Sequence, residues 1–379
     1  MPSPPETAST TVPVALGERS YDVVVAEGGW DALPARLESA LRRTWAGKPC
    51  RKALIVTDAN VAALPYPDRT REALAAIGIE STTAVVPPGE ASKGLDTAAT
   101  LYEKLVAMAA DRHTLVVPVG GGVMGDLGGF IAATFARGLP LFMVPTTLLA
   151  QVDSSVGGKV GVNLPRVKNI VGAFHQPVAV WVDVASVNDL PDRELRCGLA
   201  EVVKYGVILD APFFAELEAN ADAILARRPD LLRRIVARSC ELKADVVSKD
   251  EREQTGLRAV LNFGHTIGHG VEATAGYGGG FQHGEAVAVG MVAESRLAER
   301  LGWVDAAFTE RLARLLGRFG LPTSLSGLDP AAVLESMGRD KKNKGGRIRL
   351  VLPRRMGEVE LTDAASADDL RSLLKDLCR

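Results

Sequence analysis

The chain has 379 residues, with 44 Lys and Arg against 46 Asp and Glu and a formal net charge of −2. With 47% hydrophobic and 24% charged residues, it has the balance of a globular protein long enough for two domains of roughly 100–200 residues each. Near-neutral charge excludes a global basic field for nucleic acid or anionic membrane, and the apolar runs fall short of the ~18–20 residues of a spanning helix.

At the N-terminus, "MPSPPETASTT" has neither a basic n-region nor an apolar h-region. Residues 1–10 therefore read as a flexible tail and not as a signal peptide. "VPVALGERSYDVVVAEGG" (12–29) predicts an antiparallel hairpin. Short runs rich in Val and Ile follow at 52–58, 82–90, 114–122, 139–147 and 179–183. Their Gly, Pro or Asp boundaries suit strands buried on both faces of a parallel sheet.

Within this half, "LVVPVGGGVMGDLGGF" runs strand, glycine turn, helix, and Gly120, Gly122 and Gly125 fit G-x-G-x-x-G. Such a loop brings backbone N–H groups to a pyrophosphate at a helix N-terminus; a plain tight turn is the alternative. The usual acidic residue ~20 positions further on is missing. Asp58, at the end of an earlier strand, and Asn60 are the candidates for the ribose contact. The next strand leads into "VPTTLLAQVDSSVGGKVGVNLPRVKN" (144–169), a loop that mixes apolar and polar residues as a half-buried site wall would.

Beyond a boundary near 185 the patterns turn helical, at 192–207, 211–227, 229–249, 257–275, 284–301 and 305–319. Pro191, Pro212 and Pro229 sit where first-turn prolines are tolerated. A short β signal at 347–361 and a last helix close the chain. The expected fold is thus α/β, with a Rossmann-type N-terminal domain over 1–185 and a mainly α-helical domain over 186–379. Cys50, Cys197, Cys240 and Cys378 form no CxxC and read as reduced thiols of a cytoplasmic protein.

The helical half carries the charges that need explaining. "CGLAEVVKYGVI" puts Glu201 and Lys204 three apart, on one face of an apolar helix. Buried charges need partners or a metal. In the predicted helix 257–275, Arg258, Asn262 and His265 lie at i, i+4 and i+7, with His269 one turn beyond. His283 follows at the start of another helix. Two histidines and a carboxylate would make a three-ligand zinc site with an open position. Spacing alone makes both His265 and His269 ligands, as in H-x-x-x-H proteases, but Thr266 stands where H-E-x-x-H needs Glu. The basic "GRDKKNKGGRIR" (338–349) lacks interleaved aromatics, so a solvated loop or a lysine for phosphate suits it better than nucleic acid.

"PGEASK", "GGGVMGD", "VPTTLLAQVDSSVGGKVGVN", "KNIVGAF", "GLAEVVKYG", "DERE", "LNFGHTIGH", "HGEAVAVGM" and "RDKK" together closely resemble 3-dehydroquinate synthase, in order, from about residue 50 to 353. "EREQTGLR" and "GYGGGFQHGE" are slightly longer than the family pattern. The resemblance implies a variant Rossmann-type domain followed by a metal-binding helical domain. It also implies a lyase of the shikimate pathway that uses NAD and Zn2+ or Co2+ to make 3-dehydroquinate, as a cytoplasmic homodimer acting on a small sugar phosphate.

Carried over motif by motif, the resemblance implies the metal ligands Glu201, His265 and His283. His269 becomes an acid/base residue with Glu253 as its partner. Lys159, Lys204, Arg258 and Asn262 are both catalytic and substrate-binding. Asp153, Asn169, Lys243 and Lys341 or Lys342 join the substrate site, and Arg137 reaches it from the neighbouring subunit. NAD would touch Asp58, Asn60, Glu90, Lys93, Gly121, Gly122, Val123, Asp126, Thr146, Thr147, Lys168, Ser186 and Asp189. Glu272 receives no role and reads as structural. The rivals are other sugar phosphate cyclases (aminodehydroquinate, deoxy-inosose or valiolone types), a metal-dependent NAD polyol dehydrogenase, and a non-catalytic binding protein.

Overall fold

Seven strands of the first half form one sheet, and the reason lies in their composition. The computed structural model describes residues 9–44, 49–165, 167–276, 280–325, 327–338 and 348–377. In chain order its first elements are β1 (Ser9–Val14), β2 (Tyr21–Ala26), α1 (Leu33–Thr44), β3 (Lys52–Asp58), α2 (Ala59–Ala62), α3 (Tyr66–Ala76) and β4 (Glu80–Val86). Then come α4 (Leu95–Ala107), β5 (Leu115–Gly120), α5 (Gly122–Thr134), β6 (Phe142–Pro145), β7 (Lys159–Leu164), β8 (Val167–Phe174) and β9 (Ala179–Asp183).

The sheet order is β1-β2-β9-β6-β5-β3-β4, parallel except for the antiparallel β1–β2 pair. β5 and β9 are buried at every position, as continuous apolar strands under two-sided cover must be. The edges differ. β4 exposes Glu80, Thr82, Thr83 and Val85 and buries only Ala84 and Val86, and β1 carries Pro13, which an edge strand tolerates. Asp183, buried at the end of β9, accepts from the Gly28 N–H and from the Trp30 indole, both at 2.7 Å, and so fixes the turn after β2.

Contacts divide the chain into two units. The first comprises residues 1–190 and 232–252, the second 191–231 and 253–379. This differs from a single cut near 185, because α8 (Pro229–Lys249) belongs with the first unit from Leu232 on. Its Cys240 thiol donates to the Gln151 carbonyl and its Lys243 ammonium to Asp153.

In the second unit, α6 (Asp192–Leu209) and α7 (Ala211–Leu225) precede α8 in the chain. After it come α9 (His265–Ala275), α10 (His283–Arg300), α11 (Ala306–Arg318), α12 (Pro330–Gly338), the hairpin β10 (Leu350–Arg355) and β11 (Glu358–Thr362), and α13 (Ala367–Leu377). Its core gathers Ile267 and Val271 of α9, Val289 and Ala293 of α10, Val333 of α12, Leu350 of β10 and Leu373 of α13.

Three sequence expectations change. The loop over 144–169 holds structure: a π-helical turn at Ala150–Ser154 and the antiparallel hairpin β7–β8. In that hairpin Gly161 and Gly172 bring two backbones so close that an added Cβ would meet carbonyl oxygens at 2.8 and 2.3 Å. The helix α12 was not anticipated. The predicted helix 257–275 is two elements, a 3-10 turn at Leu257–Asn262 and then α9. Gly264 separates them at φ 78°, a left-handed conformation that ends helical repeat. Arg258 and Asn262 therefore do not share a helical stripe with His265. No helix among the described residues is long and apolar enough to cross a membrane.

Candidate active site

α6, α9 and α10 together position the metal-competent cluster. Glu201 lies on α6 with 0% exposure, and Lys204, one turn on, makes an ion pair with its Oε2. His265 Nε2 stands 3.4 Å and His283 Nε2 3.7 Å from Glu201 Oε1. One ligand atom from each of the three residues lies within 4.8 Å of the others.

The other ring nitrogens are held from behind. His265 Nδ1 is 3.1 Å from the Phe263 carbonyl. A carbonyl only accepts, so Nδ1 carries the hydrogen and Nε2 keeps its lone pair. His283 Nδ1 lies 3.4 Å from Glu272 Oε2, with the same consequence. Two imidazole nitrogens and one fully buried carboxylate, converging, are a donor set that fits zinc or cobalt.

Burial disfavours charge on both rings. For His265 it prevails, aided by the Lys204 charge, and holds the ring well below the usual histidine range. For His283 burial is outweighed by hydrogen bonds to Glu201 and Glu272, which raise it to about 10. The buried Glu201 carboxylate is paired with Lys204.

His269 stands beside this cluster and outside it. Its ring centroid is 5.5 Å from that of His265 and 6.3 Å from that of His283. Arg258, buried in the 3-10 turn, points its Nε to Glu253 Oε1 at 3.7 Å. Glu253 has a positive φ of 56°. Asn262 ends the same turn.

Two residues escaped sequence reasoning. Glu272 was read as structural, yet it contacts a candidate ligand. It lies at i+7 from His265, so with His269 it completes one stripe of α9. Glu294 of α10 is fully buried and accepts the Gly264 N–H at 2.6 Å, fixing the break before His265. Nothing local in the sequence signals that second contact.

In the first unit, α5 begins directly after β5, and its cap residue Gly121 makes no side-chain cap. An added Cβ would stand 3.1 Å from Thr147 at Gly121 and 3.2 Å from Ser154 at Gly122. At Gly125 it would meet nothing, whereas at Gly129 it would lie 2.2 Å from Val160. Close helix packing is therefore the business of the later glycines. Asp58 caps α2, accepting from the N–H groups of Asn60 and Val61.

Around the same loop, Lys93 pairs with Asp126 at 2.5 Å, and Lys168 lies 3.8 Å from Glu90. Burial pushes the Asp126 carboxyl up, against the pull of Lys93. Ser186 is buried and donates to the Thr146 carbonyl, while Asp189 accepts from the Tyr66 hydroxyl. Lys243, 5% exposed, donates to the Asp153 carboxylate at 2.7 Å and to its carbonyl at 2.6 Å. Lys159 opens β7, and Asn169 sits exposed in β8 at φ 51°. Arg137 is exposed on the turn after α5 at φ 68°. Lys341 and Lys342 lie outside the described residues.

The profile of the 3-dehydroquinate synthase N-terminal domain matches residues 83–197, and that of the C-terminal domain matches 198–343. A 3-dehydroquinate synthase of Symbiobacterium thermophilum is 50% identical over 366 residues, 96% of this chain and 99% of that one. Among solved structures, 2-epi-5-epi-valiolone synthase from Streptomyces hygroscopicus, with NAD+ and Zn2+ bound, superposes with a TM-score of 0.85 at 28% identity. That alignment covers 96% of this chain and 98% of the other. A 2-deoxy-scyllo-inosose synthase complexed with carbaglucose-6-phosphate, NAD+ and Co2+ superposes at 0.84 with 25% identity, covering 97% and 99%.

Proposed function

The chain belongs to the 3-dehydroquinate synthase family, and from that premise we propose that it converts 3-deoxy-D-arabino-heptulosonate 7-phosphate to 3-dehydroquinate and phosphate in the cytoplasm. The observation that carries this reading is the convergence of Glu201, His265 and His283 beside Lys204 and His269 in a chain of that family. The C5 alcohol is oxidised, phosphate is eliminated, the ketone is reduced again, and the ring opens and closes by an aldol step. When bound, NAD would supply and retrieve the hydride, and a divalent ion held by Glu201, His265 and His283 would act as a Lewis acid on the substrate.

The residues of the chain divide the remaining work. Glu201, His265 and His283 would hold the ion. His269, outside that ligand set, would take and return protons, with Glu253 as its partner and Arg258 beside Glu253. Lys204 pairs with the buried Glu201 and would offer its remaining hydrogens to a substrate oxygen. Lys159, Asn169, Lys243 and Asn262 would hold the substrate's carboxylate, hydroxyls and phosphate, with Asp153 orienting Lys243.

For NAD, the amides of Gly121, Gly122 and Val123 at the start of α5 suit the pyrophosphate. Asp58 and Asn60 suit a ribose. Glu90, Lys93, Asp126, Thr146, Thr147, Lys168, Ser186 and Asp189 would complete that site. The first unit would thus be the NAD-binding domain and the second the metal-binding one.

Pure protein given heptulosonate phosphate, NAD and zinc is expected to release phosphate without accumulating NADH. Absence of phosphate release would sink the assignment. Net NADH formation would point to a polyol dehydrogenase, and preference for the amino-substituted substrate to an aminodehydroquinate synthase.

A homodimer in which Arg137 reaches the neighbouring site is part of the same proposal, supported by the exposed placement of Arg137 on a left-handed turn. Arg137→Ala and His269→Ala proteins, each inactive alone, should regain up to about a quarter of the activity when subunits are mixed, since each hybrid keeps one intact site. No recovery on mixing would remove Arg137 from the partner's site.

A further inference from the structure

His283 differs from the other two members of the cluster in how it is held. Glu201 is fully buried and gripped by Lys204. His265 is buried and tied to the carbonyl of Phe263, two residues away in its own chain segment. His283 opens α10 with a side chain 31% exposed.

The backbone at His283 is well anchored. Glu285 Oε2 accepts the Gln282 N–H at 2.8 Å, and Arg193 grips Glu285 through two bonds of 2.7 Å. Gln282 is itself tied to Glu194. None of these contacts reaches the ring. Turning about its own side-chain bonds would carry Nε2 away from Glu201.

The contact that sets the ring comes from another helix. Glu272, on α9 and only 13% exposed, meets Nδ1 at 3.4 Å. A carboxylate there fixes the tautomer, fixes the ring plane and makes Nε2 a stronger donor than a carbonyl would. α9 thereby serves the cluster three times along one face: His265 faces the ligand set, His269 stands beside it, and Glu272 backs the ligand on α10.

We propose that Glu272 is a positioning residue for the metal ligand His283, setting the affinity and geometry of the divalent-ion site. This deepens the family reading and rests on it, since that reading supplies the metal.

The test is zinc affinity, measured on full-length protein by competition with a chromophoric chelator. Wild type, Glu272→Gln and Glu272→Ala are compared, with His283→Ala as the baseline. Glu272→Gln should weaken zinc binding by roughly 10-fold and Glu272→Ala by roughly 100-fold, the range seen when an outer-shell partner is lost. Phosphate release by both variants should return toward wild type as free zinc is raised. The visible spectrum of the cobalt-loaded Glu272→Gln protein should shift, because the strength and angle of one donor change.

Zinc affinities within twofold of wild type, or an unshifted cobalt spectrum, would overturn the proposal. Should Glu272→Ala fail to fold, the isosteric Glu272→Gln decides alone. Wild type that binds no zinc would refute the metal reading itself, an outcome distinct from variants that bind as well as wild type.

Discussion

His265→Ala protein is expected to lose its zinc, whereas His269→Ala protein keeps zinc at wild-type affinity and turns over about 100- to 10,000-fold more slowly, the usual worth of a general acid or base. The two histidines sit one turn apart on α9, with ring centroids 5.5 Å apart, and by spacing alone either could be a ligand. Geometry separates them. His265 Nε2 converges on Glu201 Oε1, and the carbonyl behind it fixes its tautomer. His269 lies outside the group of three. Removing a direct ligand should cost more than the ~10–100-fold that follows loss of an outer partner. Metal content by atomic emission and single-turnover phosphate release on the same preparations separate the two roles. Equal zinc loss in both variants would put His269 among the ligands.

Gly290→Ala should be the most damaging single methyl group in the second unit. A Cβ on Gly290 would lie 1.9 Å from the Gly264 carbonyl oxygen and 2.9 Å from the Gly268 nitrogen, both backbone atoms. Gly264 is seated against α10 at several points: a Cβ on Gly264 itself would also meet Met291 and Val287 of that helix, and Glu294 binds its N–H. Relief therefore requires α10 to slide off α9, which pulls His283 from His265. Overpacking usually costs about 1–3 kcal/mol; with no flexible side chain to yield, on the order of 4 kcal/mol or outright failure to fold is expected. Gly317→Ala is the control. Its Cβ meets nothing within 4 Å on exposed α11, so it should stabilise by roughly 0.5 kcal/mol. Urea unfolding of both proteins measures the difference. Equal midpoints would mean that α9 and α10 do not meet through Gly290.

The parallel sheet was legible because β3, β5 and β9 are continuous apolar runs, and α8 because its apolar residues recur at helical spacing from Pro229 to Lys249. The break at Gly264 was not. Helical periodicity passes through residues 257–275 unbroken, and what stops the helix is the backbone of α10 pressing on Gly264, a contact between residues 26 positions apart. The hairpin β7–β8 was hidden for a similar reason. Its polar residues resemble a loop, and its register rests on Gly161 facing Gly172.

In the candidate site, residue types suggested a metal centre and family motifs suggested the three candidate ligands, which the fold brings together. The pairing of Glu272 with His283 needed coordinates. They lie eleven positions apart, and only the placement of α9 against α10 brings the carboxylate behind the ring.

The split membership of the first unit has a consequence for how the chain is made. Its sheet is complete once β9 has been synthesised, since β2 must wait for β9 to pair with it. The polar junction of Gln151 and Asp153 is still open at that stage, because Cys240 and Lys243 are encoded beyond residues 191–231 of the other unit. A nascent chain therefore emerges from the ribosome with its first unit unfinished, carrying α6 and α7 out before that unit can close. Domains that fold during synthesis usually finish one before the next begins. Here the two halves must mature in overlap, and the closure by α8 joins residues 89 and 90 positions apart, the kind of long-range contact that slows folding.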